Sequence, residues 1–144
     1  VNKNTNTLHY SGAFNPLIYI QNNELKIIKG DRYSVGGFKK KLTFNQTNLD
    51  IGDGIQFYIY SDGYQDQFSG SNGSKFMNKK FRELLYKVST EKGQRQQEIL
   101  EKRLLEWRGS EPQTDDILVM GVNISRDTKE ESWINEDNSE NPSH

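Results

Sequence analysis

Two short apolar runs in this 144-residue chain each join an acidic turn, and that coupling restricts the folds open to it. Residues 55–60 run out into Ser61-Asp62-Gly63, and Thr114-Asp115-Asp116 leads directly into residues 117–122. Runs of this length, bounded by turn residues, read as strands. A sheet can hold carboxylates at the ends of neighbouring strands a few ångströms apart. All-oxygen sites of that kind suit hard cations such as Mg²⁺ or Mn²⁺.

The rest of the chain supplies the frame. Residues 8–13, 17–20 and 24–29 read as strands, with Gln21-Asn22-Asn23 as the turn chemistry of a hairpin. Gly30-Asp31 and Gly36-Gly37 mark a loop around Tyr33 and Val35. Leu42 and Phe44 open a further strand that ends near Asp50. Ile55, Phe57 and Ile59 alternate with Gln56, Tyr58 and Tyr60, the pattern of a half-buried strand with aromatics on its other face. Met77, Phe81, Leu84, Leu85 and Val88 form a stripe of helical period. Gly93 separates them from a second helix over 94–107, carrying Leu100, Leu104 and Trp107 and closed by Gly109. Residues 117–124, apolar on both faces, read as a central strand. Five strands, two helices and a returning strand predict an α+β layered fold, a mainly antiparallel sheet packed against two helices.

Composition narrows the function. The chain has no cysteine, which excludes thiolate chemistry and disulfides and fits a cytoplasmic protein. Its formal charge is −1, with no basic stripe, which argues against nucleic acid as a partner. No run is long enough to span a membrane, so direct membrane contact is not expected. Residues 125–144 carry six acids and two bases and read as an acidic, disordered tail, with Trp133-Ile134 as the one candidate docking peptide. Lys39-Lys40-Lys41 reads as a solvated turn. His9 has no partner nearby in sequence and reads as a structural strand residue, and Asp50 and Asp53 lack the further oxygens of a calcium loop. Serines 11, 61 and 69 have no histidine arranged beside them, so serine-hydrolase chemistry is excluded. Gly70-Ser71-Asn72-Gly73-Ser74 lacks a Lys-Ser/Thr ending and reads as a mobile flap beside Asp62 rather than a nucleotide loop.

Four segments in order, Ser11-Gly12-Ala13-Phe14-Asn15-Pro16, Gly30 to Gly36, Ser61-Asp62-Gly63 and Thr114-Asp115-Asp116-Ile117, resemble the metal-dependent protein phosphatases of type 2C. The nearest branch is the bacterial sporulation stage II E-like one. The resemblance covers residues 8–124 and implies that residues 1–124 hold the C-terminal part of such a domain. It places Asp62, Gly63, Asp66, Asp115 and Asp116 at the metal site. Asp62 and Asp115 are its direct ligands, Asp116 is a neighbouring hydrogen-bonding group, and Asp66 acts through water. Two Mn²⁺ or Mg²⁺ ions and a phosphoprotein substrate are implied. The family's other metal motif, an acid followed by Gly-His-Gly, has no match here, and Phe14 stands where many relatives have histidine. The expectations that follow are weak metal binding, little or no turnover, and self-association through an open sheet edge. The alternative reading is a non-catalytic interaction module of a signalling protein.

Overall fold

A computed structural model describes residues 1–36 and 43–125. Gly37, the Lys39-Lys40-Lys41 run, the strand start at Leu42 and the tail from Arg126, with Trp133 and Ile134, lie outside the described residues. The elements are β1 (Thr7–Tyr10), β2 (Leu17–Gln21), β3 (Glu24–Ile28), β4 (Thr47–Asp50), β5 (Gly54–Tyr60), α1 (Gly63–Asp66), α2 (Asn78–Val88), α3 (Gly93–Arg108) and β6 (Val119–Ser125). A four-stranded sheet has the order β3-β2-β5-β6, and β1 pairs with β4 in a separate ribbon. Every strand pairing is antiparallel.

The hairpin follows from its turn. Asn22 and Asn23 both take positive φ, 51° and 60°, as a two-residue turn between right-twisted strands requires. The resulting register places Gln21 opposite Glu24 and Leu17 opposite Ile28.

The central strands of the four-stranded sheet, β2 and β5, carry buried residues on both faces. One face carries Ile18, Tyr58 and Tyr60 and is covered by α2 and α3 through Phe81, Leu85, Val88 and Leu100. The other carries Leu17, Tyr19, Ile55 and Phe57 and meets Leu8 and Ile51. The helices thus lie on one side and the β1–β4 ribbon on the other, the layered α+β arrangement expected. Two strands differ from expectation. β5 is buried on both faces rather than half-buried, because its aromatic row faces the helices. β6 is an edge strand rather than a central one: it pairs only with β5 among the described residues. Its apolar rows serve two cores, with Val119 on the helical side and Val122 and Ile124 on the ribbon side.

Burying the aromatic row brings polar atoms inside, and the Tyr58 and Tyr64 hydroxyls and Gln56 find partners there. Gln56 Nε2 donates to the Tyr58 hydroxyl at 2.7 Å, which donates to Gln96 Oε1 at 2.8 Å. Gln96 Nε2 closes the chain on the Glu91 carbonyl at 2.7 Å. The Tyr64 hydroxyl donates to the Leu100 carbonyl at 2.8 Å. Burial pushes the Tyr58 hydroxyl up to about 12 from 10.0, against a smaller lowering by the Gln56 bond. Tyr64 moves in the same direction for the same cause.

A folded-state value above the unfolded one means that the native state holds its proton longer. That stability is complete below pH 10 and is lost as pH rises from 10 through about 12. The loss from Tyr58 is on the order of 2–3 kcal/mol. Urea unfolding across this range should show a steep decline that Tyr58→Phe makes shallower. An unchanged slope in the variant contradicts the assignment.

Candidate metal site

The site grows out of the β5–β6 pair. Tyr60 and Val119 are opposite one another, and the chain continues side by side past them. The Ser61 amide donates to the Leu118 carbonyl at 3.0 Å. The Ser61 side chain then does two jobs. Its Oγ accepts from the Leu118 amide at 2.9 Å and donates to the Asp116 carbonyl at 2.8 Å. One hydroxyl therefore clamps the second acidic turn to the first.

Gly63 allows the clamp to close. A β-carbon there would lie 2.3 Å from the Asp116 carbonyl oxygen, so any side chain would push the turns apart. Gln67 braces the approach to the second turn. It is fully buried, donates through Nε2 to the Pro112 carbonyl at 2.9 Å, and accepts from the Thr114 amide at 3.1 Å. Its own carbonyl accepts from Trp107 Nε1 at 3.0 Å, which ties the loop to the end of α3.

The carboxylates differ in what they are free to do. Asp62 stands at the N-cap of α1, yet its side chain makes no capping bond. Asp115 Oδ1 accepts from the Asp116 amide at 2.7 Å, and its second oxygen is not engaged in that bond. Among the described residues the Asp116 carboxylate makes no hydrogen bond or ion pair. Asp66 is committed elsewhere, to Lys75 Nζ at 3.1 Å.

Asp62, Asp115 and Asp116 are all exposed. Like-charge repulsion in a buried pair therefore does not operate at Asp115 and Asp116. Among the described residues no group of three or more His, Cys, Asp or Glu side chains is placed to hold a metal ion. The clamped turns present oxygen donors of the type that hard cations prefer. The donors are oxygen only, and Asp62 and Asp116 have carboxylates spent on no other contact.

The glycine-rich stretch after α1 is not a free flap. Phe68 bridges Lys75, the Ser69 amide donates to Ser74 at 2.8 Å, and the Gly70 amide donates to the Trp107 carbonyl at 3.0 Å. These bonds close it into a turn docked on the end of α3. Sequence reasoning set Ser61 aside as a non-nucleophile and assigned Gln67 no role. Ser61 carried one signal, its place between a strand and Asp-Gly; a lone Gln carries none.

The family model described as Stage II sporulation protein E (SpoIIE) matches residues 1–125. No curated protein matches the chain. Among solved structures it is similar to the SiaA-PP2C domain of Pseudomonas aeruginosa, with 26% sequence identity and a TM-score of 0.74. The match covers 84% of this chain and 47% of that one, so this chain spans about half the length of the solved domain. No helix among the described residues is long and apolar enough to cross a membrane.

Proposed function

The chain belongs to the stage II sporulation protein E family and has a type 2C phosphatase-like fold, and from that premise we propose that it serves hydrolysis of phosphoserine or phosphothreonine on a bacterial signalling protein. The observation that carries this reading is the Ser61 clamp, which sets two carboxylate turns side by side at one end of a rigid sheet. Asp62, Asp115 and Asp116 contribute one oxygen-rich side of a site for Mn²⁺ or Mg²⁺, two ions in the intact domain. Bound ions of this type lower the pKa of water and neutralise phosphoryl oxygens.

The chain's own part is positional. Ser61 and Gly63 fix the spacing of the turns, and Gln67 holds the loop that delivers Asp115. The carboxylates stand at the surface, where a phosphoryl group on a folded protein can reach them. No side-chain nucleophile is needed, which accords with a chain that has no cysteine.

Calorimetric Mn²⁺ titration tests the reading. Asp62→Asn should weaken binding at least tenfold, and Asp66→Asn, whose carboxylate is paired with Lys75, less than about threefold. Equal affinity in the parent chain and Asp62→Asn would sink the assignment.

The second reading, an interaction module, is favoured by the outer edge of β6, unpaired among the described residues, where Met120 is 49% exposed. Unpaired edges recruit further strands. Sedimentation at rising concentration should show self-association that Met120→Lys reduces. A monomer at every concentration excludes pairing through this edge.

A further inference from the structure

Beyond the acidic turns, the same end of the sheet carries a cationic hollow. Lys29, Arg32 and Arg82 converge on a cavity of about 440 Å³ whose apolar walls are Phe14, Pro16 and Ile27. Among the described residues none of the three cations forms an ion pair. Arg82 Nε is buried with no hydrogen-bond partner. The acid next to Arg32 forms no ion pair with it. Asp31 is turned onto Asn45, accepting from its amide and its side chain at 2.7 Å each.

The wall is held in place by backbone. The Phe14 amide donates to the Asp31 carbonyl and the Asp31 amide to the Gly12 carbonyl, both at 2.7 Å. Gly30 permits this approach, since a β-carbon there would meet the Asn15 carbonyl oxygen at 2.5 Å. Phe14 adopts φ 62° and is 59% exposed. A bulky residue fixed in the left-handed region with its ring in water is a costly arrangement of the sort found at ligand contacts.

We propose that this hollow is an anion subsite that takes an acidic side chain of the substrate protein, close in sequence to its phosphorylated residue. The position follows from the strand register. Leu17 pairs with Ile28 and Ile18 with Tyr58, so Pro16, Lys29 and Ser61 all lie beyond one end of the sheet. β3 is two places from β5, about 10 Å at the usual strand spacing. An extended peptide rises about 3.3 Å per residue, so the acid sits about three residues from the phosphoserine. Charge selects the carboxylate, and Phe14 and Pro16 favour an apolar neighbour beside it.

The inference rests on the phosphatase reading for its choice of substrate, but its test is separate. Labelled phosphoserine peptides carrying Glu three residues to either side, the matching Gln peptides, and a peptide with a second phosphoserine there are titrated by anisotropy against the full chain. Titrations are run with and without Mn²⁺. One of the Glu peptides should bind at least fivefold tighter than its Gln counterpart, and Lys29→Gln with Arg32→Gln should erase that ratio. Both residues are exposed, so the double variant keeps the fold. Tighter binding of the second phosphoserine alone, with Glu and Gln alike, reassigns the subsite to phosphate and overturns the proposal. A preference that survives the double variant, or no preference, also overturns it. If the phosphatase reading fails instead, Mn²⁺ affinity becomes indifferent to Asp62 while the Glu preference stands.

Discussion

Gly63→Ala is expected to separate the acidic turns, costing about 1–3 kcal/mol of stability and abolishing measurable Mn²⁺ binding. The added methyl would stand 2.3 Å from the Asp116 carbonyl oxygen and 3.0 Å from the Ile117 side chain. The first neighbour is backbone, held in place by the Ser61 hydroxyl, and cannot swing aside. Relief requires the 116–118 segment to move away from β5, which breaks the Ser61 bonds to Asp116 and Leu118 together. Ser61→Ala removes the clamp without the clash and should weaken Mn²⁺ binding with a smaller loss of stability, about 1 kcal/mol. Urea unfolding and Mn²⁺ titration of the two variants separate the effects. Wild-type metal affinity in Gly63→Ala would mean that the turns need not be adjacent.

Phe81→Ala is expected to cost about 3–5 kcal/mol of stability. Phe81 is fully buried where α2 meets the sheet. Its ring lies 5.0 Å from Tyr60 in an edge contact and 4.8 Å from Tyr64. Tyr64 stands edge-on to Phe76, and Phe76 to Trp107, so one aromatic chain joins β5, α1, α2 and α3. Its removal should lower the melting temperature by more than about 10 °C. Leu105→Ala, on the exposed side of α3, should change it by no more than a degree or two. A small effect at Phe81 would show that α2 does not hold the helical layer to the sheet.

What could be read from the sequence was what local chemistry controls. Asn22-Asn23 specified its hairpin because Asn tolerates the left-handed backbone, and Gly109 ended α3 with φ 54°. The apolar period of α2 was legible in Phe81, Leu84, Leu85 and Val88, although Met77, read as its first member, is the exposed N-cap. The order of the four motifs pointed to the type 2C fold before any contact was known. What escaped was set by distant partners. The place of Ser61 between a strand and Asp-Gly marks a turn but not a clamp, since both of its side-chain bonds span more than fifty residues. The burial of Gln67 depends on Pro112, Thr114 and Trp107. β6 read as central because apolar residues on both faces look alike whether a strand has one neighbour or two. The four residues of α1 are too few to show a period. The exposure of Asp115 and Asp116 follows from the open side of the turns, which no spacing reveals.

The central claim is that the two acidic turns act as one cation-binding face. Amide NMR of the full chain with substoichiometric Mn²⁺ tests it most directly, because paramagnetic broadening marks the residues around the ion. The account predicts early loss of the signals of Ser61, Asp62 and Gly63 together with those of Asp115, Asp116 and Leu118, and their retention in Asp62→Asn. Broadening at one turn without the other, or centred on the acids of α3, would contradict it.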